Sequence, residues 1–280
     1  MSTARERLQE VQEALGIEAK KSLGQNFLVS DIVIERIINK AREFEPDVLI
    51  EVGPGPGALT YFLRQFKAEF RVIELDRVLA QFWRGHGVDV IEGDALQLDW
   101  QQFYEGKTGK KVLVSNLPYQ ISSSIVIDRS LDKEGLDHMV LMFQKEVAQR
   151  IAAQAQTDAY GLLTVIAQTF WKTEKVTEAG PRDFDPPPRV ASRVLAFTRK
   201  PTSVQNPKAF LGFVKAAFAQ RRKLLKKNLS ALYNQTGTDD AKVVGWLSEM
   251  GFKETVRAEE LNPAQFVELY HRFQFEKITR

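Results

Sequence analysis

The stretch Ser115-Asn116-Leu117-Pro118-Tyr119 closes the apolar run Val112-Leu113-Val114. An amide, a proline and an aromatic at the end of a strand suit a grip on a planar amino group. Asn116 offers its side-chain oxygen as one acceptor. A backbone carbonyl near Leu117 or Pro118 offers a second, Pro118 fixes the turn, and the ring of Tyr119 can stack on a base. Such stacking contributes roughly 1–3 kcal/mol per base. An exocyclic base nitrogen is a poor nucleophile because its lone pair is delocalised into the ring. Two acceptors on its hydrogens draw the nitrogen toward tetrahedral geometry and free that pair. A turn that merely ends a strand is the competing reading.

Some sixty residues earlier, Gly53-Pro54-Gly55-Pro56-Gly57 separates the apolar run Val48-Leu49-Ile50-Glu51-Val52 from a helical pattern. Glycines between a strand and a helix let the backbone turn tightly and approach a ligand. The dinucleotide pattern needs two residues between its second and third glycines, and here only Pro56 intervenes. Two prolines also remove N–H groups that could hold a pyrophosphate. Both points weigh against NAD and toward a phosphate-free cofactor, S-adenosylmethionine. Glu74 ends the next strand, about 20 residues on, where a carboxylate can accept ribose hydroxyls. Asp94, in Gly93-Asp94-Ala95, can accept from an adenine amino group. Each acid alone could equally be a solvated loop residue, but together they stand at successive strand tips. With a cationic sulfonium as methyl donor and a neutral leaving group, alignment supplies most of the rate. No general base is required, because the product ammonium is acidic.

These groups need a scaffold. The 280 residues can bury a full core, as one large and one small domain. Strands expected at 48–52, 70–74, 88–92, 112–114 and 138–143 alternate with helices at 58–66, 75–83 and 121–131. That order argues for an α/β fold with a mostly parallel sheet covered on both faces. Further helices are expected at 3–15, 31–43 and 145–153. Residues 162–171 are apolar and fit helix or strand, and 190–198 fit a last strand. The segment Arg199-Lys200-Pro201-Thr202-Ser203-Val204-Gln205-Asn206-Pro207 reads as a linker. Catalytic and helical domains are thus expected at 1–200 and 201–280, the second with helices over 207–233, 238–250 and 262–274.

The absence of cysteine excludes disulfides, thiolate metal sites and a cysteine nucleophile. His86, His138 and His271 show no ligand spacing, so no metal is expected. There is no run of about 18 apolar residues and no signal-like N-terminus, which leads to the expectation of a cytoplasmic protein with no membrane partner. The net charge of +3 is mild. Locally, residues 208–227 carry Lys208, Lys215, Arg221, Arg222, Lys223, Lys226 and Lys227 with no acid. A solvated face is the ordinary reading of a basic helix, but the lack of any acid favours phosphate contact. Lys20 and Lys21 beside the Gln25-Asn26 loop are expected to add to it.

With these residues in view, the chain resembles the ribosomal RNA adenine N6,N6-dimethyltransferases of the KsgA/RsmA type. That family also holds the erythromycin-resistance (Erm) methyltransferases. The resemblance covers nearly the whole chain. It rests on Leu23-Gly24-Gln25-Asn26-Phe27-Leu28, Glu51-Val52-Gly53-Pro54-Gly55, Val72-Ile73-Glu74-Leu75-Asp76, Gly93-Asp94-Ala95, Asn116-Leu117-Pro118-Tyr119, Gln144-Lys145-Glu146-Val147-Ala148, Phe184-Asp185-Pro186-Pro187-Pro188 and Gln220-Arg221-Arg222-Lys223.

The resemblance implies a class I methyltransferase (Rossmann-like) sheet with a small all-helical C-terminal domain. It implies a cofactor site of Gln25, Asn26, Leu28, Gly53, Gly55, Glu74, Leu75, Asp94, Ala95 and Asn116. Phe184 would face Tyr119 across the target base, beside Asn116, Leu117 and Pro118. The implied substrate is a pair of adjacent adenines in a hairpin loop near the 3′ end of small-subunit (16S) ribosomal RNA. Each would be methylated twice, within a pre-assembled 30S subunit, by a monomer. Where the family usually has Asp then Ser, this chain has Ala191-Ser192, a departure expected to loosen a contact near the Phe184 loop. An Erm-type enzyme acting on 23S RNA, a DNA adenine methyltransferase, and a non-catalytic ribosome-assembly factor on the same fold are the alternatives. Leu117 and the Gln220-Arg221-Arg222-Lys223 segment favour the small-subunit branch.

Overall fold

The computed structural model describes residues 2–19, 25–132 and 135–278, leaving aside the side chains of 234, 235 and 274–278. Two compact units emerge. One combines the residues up to Ala148 with Lys172–Arg199, and the other combines Gln149–Trp171 with the residues from Lys200 on.

In the first unit the strands β2 (Val48–Val52), β3 (Glu69–Glu74), β4 (Asp89–Glu92), β5 (Lys111–Ser115), β6 (His138–Gln144), β7 (Trp171–Ala179) and β9 (Ser192–Arg199) form a seven-stranded sheet. Its order is β4-β3-β2-β5-β6-β9-β7. Strands β2 to β6 run parallel to their neighbours, and β9 is antiparallel to β6. All residues of β2 are buried, as a central strand with helices on both faces requires. The short pair β1 (Phe27–Leu28) and β8 (Phe184–Asp185) is separate and antiparallel, with Leu28 opposite Phe184.

The helices of this unit are α1 (Ala4–Leu15), α2 (Asp31–Glu43), α3 (Thr60–Leu63), α4 (Arg77–Gly85), α5 (Tyr119–Leu131) and α6 (Lys145–Ile151), the last crossing into the second unit. Ile34, Ile37 and Ile38 of α2 are buried against Leu49, Val112, Val114 and Val140 of the sheet, as their spacing predicts. Helix α3 is shorter than the expected 58–66, because the Gly57 N–H is turned back onto the Pro54 carbonyl at 2.9 Å and helix starts only at Thr60. Strand β7 was not expected over 172–179. Its charged residues alternate with half-buried ones, the pattern of an edge strand.

The second unit is helical. It holds α7 (Leu162–Phe170), α8 (Pro207–Ala217), α9 (Leu225–Leu229), α10 (Tyr233–Thr236), α11 (Asp240–Glu249) and α12 (Pro263–Ile278). Two corrections follow. The expected domain 1–200 includes α7, yet α7 clusters with the residues beyond 200. It is buried on nearly every side, and Phe170 meets Phe210 of α8 edge-to-face with ring centroids 6.2 Å apart. Tyr160, just before it, donates to the Leu261 carbonyl at 2.7 Å. The expected continuous helix over 207–233 is also broken. The buried Asn228 amide donates to the carbonyls of Ala217 at 2.8 Å and Gln220 at 3.0 Å, supplying the hydrogen bonds that a continuing helix would have made.

Candidate active site

A cavity of about 300 Å³ opens at the C-terminal ends of β2, β3, β4 and β5 in the first unit. This is the edge where open α/β sheets hold ligands. Its walls include every expected cofactor residue, Gln25, Asn26, Leu28, Gly53, Gly55, Glu74, Leu75, Asp94, Ala95 and Asn116, together with Leu117, Pro118 and Tyr119.

The floor is the glycine turn. Gly55 adopts φ 53° and Gly57 φ 99°, in the left-handed region. A Cβ on Gly57 would lie 2.4 Å from the Trp83 ring, whose indole N–H donates to the Gly55 carbonyl at 2.8 Å. The turn is therefore clamped from behind by a tryptophan of α4. Glu74 Oε2 accepts the Gly55 N–H at 3.2 Å, and Oε1 accepts the Asp76 N–H at 2.8 Å. Burial raises the Glu74 carboxyl above its ordinary pKa, while the backbone donors of Asp76 and Gly55 oppose that rise. Asp94 Oδ1 accepts the Leu96 N–H at 2.9 Å, which fixes the carboxylate at the tip of β4. Leu75 is 55% exposed and offers an apolar surface at the rim.

The tip of β5 is tied to β2 by a short hydrogen bond from the Ser115 hydroxyl to the Val52 carbonyl. Beyond it, Asn116 Nδ2 donates to the Asn26 carbonyl at 3.3 Å. This bond uses the amide's donor end, and Oδ1 makes no hydrogen bond within the described residues. Tyr119 begins α5, and its hydroxyl lies 2.7 Å from the buried Ser192 Oγ. Burial raises the Tyr119 phenol, with the Ser192 bond opposing. The ring is thereby held at a set angle beside the cavity.

Position 191 acts through its backbone, since the Ala191 carbonyl accepts the Lys145 N–H at 2.9 Å. Any residue supplies that contact, so the departure at Ala191 leaves it in place, and the neighbouring Ser192 does the positioning. Phe184 takes another place than the resemblance implies. It is 2% exposed, packs in the core with Leu28 and Ile34, and is not among the residues lining the cavity. Its β8 backbone instead braces the Phe27-Leu28 wall.

Sequence reasoning missed several lining residues. Ala4, Arg7 and Leu8 of α1 border the cavity, as does Glu51. Glu51 is 2% exposed, and burial pushes its carboxyl up to about 8, against the lowering bond from the Thr60 hydroxyl at 2.8 Å and with a further push from Glu74. The signal was present in the strand itself: an acid in an otherwise apolar run needs a partner or a purpose.

In the helical unit the basic residues separate into two sets. Lys226 pairs with Glu254 at 2.9 Å, and Lys227 pairs closely with Asp240. Arg221 donates to the Thr157 carbonyl at 3.4 Å. Arg222 and Lys223 are exposed and make no ion pair among the described residues. Lys20 and Lys21 lie outside the described residues. Among the described residues no group of His, Asp or Glu side chains could hold a metal ion, and no helix is long and apolar enough to cross a membrane.

A parallel sheet with carboxylates at its strand tips and an Asn-Leu-Pro-Tyr grip beside a glycine turn defines a class I methyltransferase. The comparisons narrow this. The sequence matches the family model described as ribosomal RNA adenine dimethylase over residues 16–274. It is 64% identical over 276 residues to the ribosomal RNA small subunit methyltransferase A of Bdellovibrio bacteriovorus, covering 99% of this chain and 100% of that protein. A solved structure of a dimethyladenosine transferase from Plasmodium falciparum superposes with TM-score 0.75 at 24% identity, over 90% of this chain and 98% of that one, a likeness of fold. The 23S rRNA methyltransferase ErmE superposes with TM-score 0.63 at 26% identity, over 89% of this chain and 100% of that one. The chain belongs to the ribosomal RNA adenine dimethylase family, and it is a methyltransferase.

Proposed function

We propose that this chain dimethylates N6 of two adjacent adenines in a hairpin loop near the 3′ end of small-subunit ribosomal RNA, within a nearly assembled subunit in the cytoplasm. The observation that carries the reading is the anchored Asn116. Its donor end is occupied by the Asn26 carbonyl, so its acceptor end is the one available to an amino group.

S-adenosylmethionine, the cofactor implied by family and fold, supplies a methyl group on a cationic sulfonium. The lining fits it. Glu74 suits the ribose hydroxyls, Asp94 the adenine amino group and Leu75 the adenine face, while the acidic walls suit the positive charge. Asn116 Oδ1 and a backbone carbonyl near Leu117 accept the two N6 hydrogens. Tyr119, steadied by Ser192, stacks on the base. The base reaches this position by leaving its stack, which an unpaired loop nucleotide does at small cost. The 64% relative bears a small-subunit name, which favours this substrate over the large-subunit RNA of ErmE.

Labelled S-adenosylmethionine, incubated with under-methylated small subunits, large subunits and DNA in parallel, tests the reading. Dimethyladenosine confined to small-subunit RNA is the expected product. Label in large-subunit RNA would move the chain to the Erm branch. RNA binding without any transfer would make it an assembly factor.

A further inference from the structure

Arg7 differs in charge from everything around it. It projects from α1 on the face shared with Ala4 and Leu8, and all three border the cavity. Among the described lining residues it is the only basic one, set against Glu74 and Asp94. Its side chain is 13% exposed. The guanidinium lies 5.2 Å from the Phe62 ring centroid and 5.8 Å from that of Tyr61. Nη1 donates to the Ser2 carbonyl. Nε and Nη2 are buried and have no hydrogen-bond acceptor. The nearest carboxylate oxygen, Asp31 Oδ1, stands 3.6 Å from Nη2 and already accepts the Ala4 N–H at 3.0 Å. A buried guanidinium edge without an acceptor is costly, and its planar fork matches a carboxylate.

We propose that Arg7 binds the carboxylate at the amino-acid end of the cofactor, making α1 one wall of the cofactor site. The inference rests on the cofactor assignment above. S-adenosylmethionine carries a sulfonium, an ammonium and a single carboxylate. The carboxylate is its one anion, and the acidic walls that suit the rest of the molecule repel it. Arg7 is the group in the described wall that attracts it. Asp31 also docks the N-terminus of α1, and at 3.6 Å it balances part of the arginine's charge without accepting a hydrogen bond from Nη2, so the fork stays open.

Two ligands separate this from simple packing. S-adenosylhomocysteine keeps the carboxylate, whereas 5′-methylthioadenosine lacks the entire amino-acid end. Both are titrated calorimetrically into the full chain, wild type and Arg7→Met, a change that retains the apolar stem. The expected result is a Kd for S-adenosylhomocysteine about ten-fold weaker in Arg7→Met, with less than about two-fold change for methylthioadenosine. Arg7→Lys should recover part of the loss, because an ammonium supplies charge without the fork. Equal weakening of both ligands would reduce Arg7 to a packing residue of α1 and overturn the proposal, as would unchanged affinity for S-adenosylhomocysteine. A wild-type chain that binds neither ligand would remove the cofactor assignment and the proposal with it.

Discussion

Gly53, Glu74, Asp94 and Asn116 come from four separate strand ends and meet around one cavity. Arg221, Arg222, Lys223, Lys226 and Lys227 are near neighbours in the chain, and they go different ways. The difference lies in what joins the residues. Parallel strands in register carry their C-terminal ends to the same edge of a sheet, so groups at strand tips converge however far apart they are in sequence. A stretch read as one helix shares one face only while the helix continues. Asn228 ends that continuity, and acids from other segments, Asp240 and Glu254, claim two of the cations.

The strand-tip cluster should therefore be sensitive to single atoms. Asn116→Ala removes the amide oxygen and its anchor on Asn26. Methyl transfer should fall by about 10³-fold, roughly 4 kcal/mol of transition-state stabilisation, with RNA affinity nearly unchanged. Substantial activity surviving in that variant would mean that convergence at the tips is not what grips the amino group.

A second test concerns the buried acid behind the cluster. Glu51 titrates near 8 in the fold against 4.5 in its ordinary state. Its folded pKa is raised, so the neutral form is the one the fold accommodates. That stability is fully present below about 4.5 and is lost as pH rises through about 8. Glu51→Gln keeps the shape and cannot ionise. Thermal melts should coincide for the two proteins at pH 4, below the unfolded value of 4.5. At pH 9 the variant should be more stable by roughly 4–5 kcal/mol. Parallel pH profiles would show that Glu51 is solvated or paired, and that the cavity's acidic wall is less dry than its burial indicates.

The smallest effect sharpens the other side of the comparison. Removing Arg222 and Lys223 together should lower the slope of log affinity for RNA against log salt by about 1.5, close to one per phosphate contact. Removing Lys226 and Lys227 should lower it by less than about 0.5, because each is held by a carboxylate. Equal slopes for the two pairs would mean that RNA displaces the ion pairs and that the stretch acts as one surface.

Alternating apolar runs and helical patterns made the five parallel strands legible in advance, because burial on both faces demands such runs. The glycine turn, Glu74, Asp94 and Asn116 were legible for a related reason: each sits immediately after a run, where a parallel sheet must present it. Arg7 and Ser192 were not legible as site residues. Their roles arise from contacts between segments that no local pattern encodes, such as Ser192 meeting Tyr119 across the sheet. Phe184 shows the reverse, a motif residue whose ring the fold places in the core.

The sequence by itself determined the parallel sheet, the strand-tip groups and the family, since periodicity and local turn chemistry are properties of neighbouring residues. Only the tertiary structure decided which cations stay unpaired, which helix closes the cavity wall, and that Gln149–Trp171 clusters with the C-terminal helices. These outcomes depend on which distant surfaces find each other, and burial and charge pairing settle that only when the chain is folded.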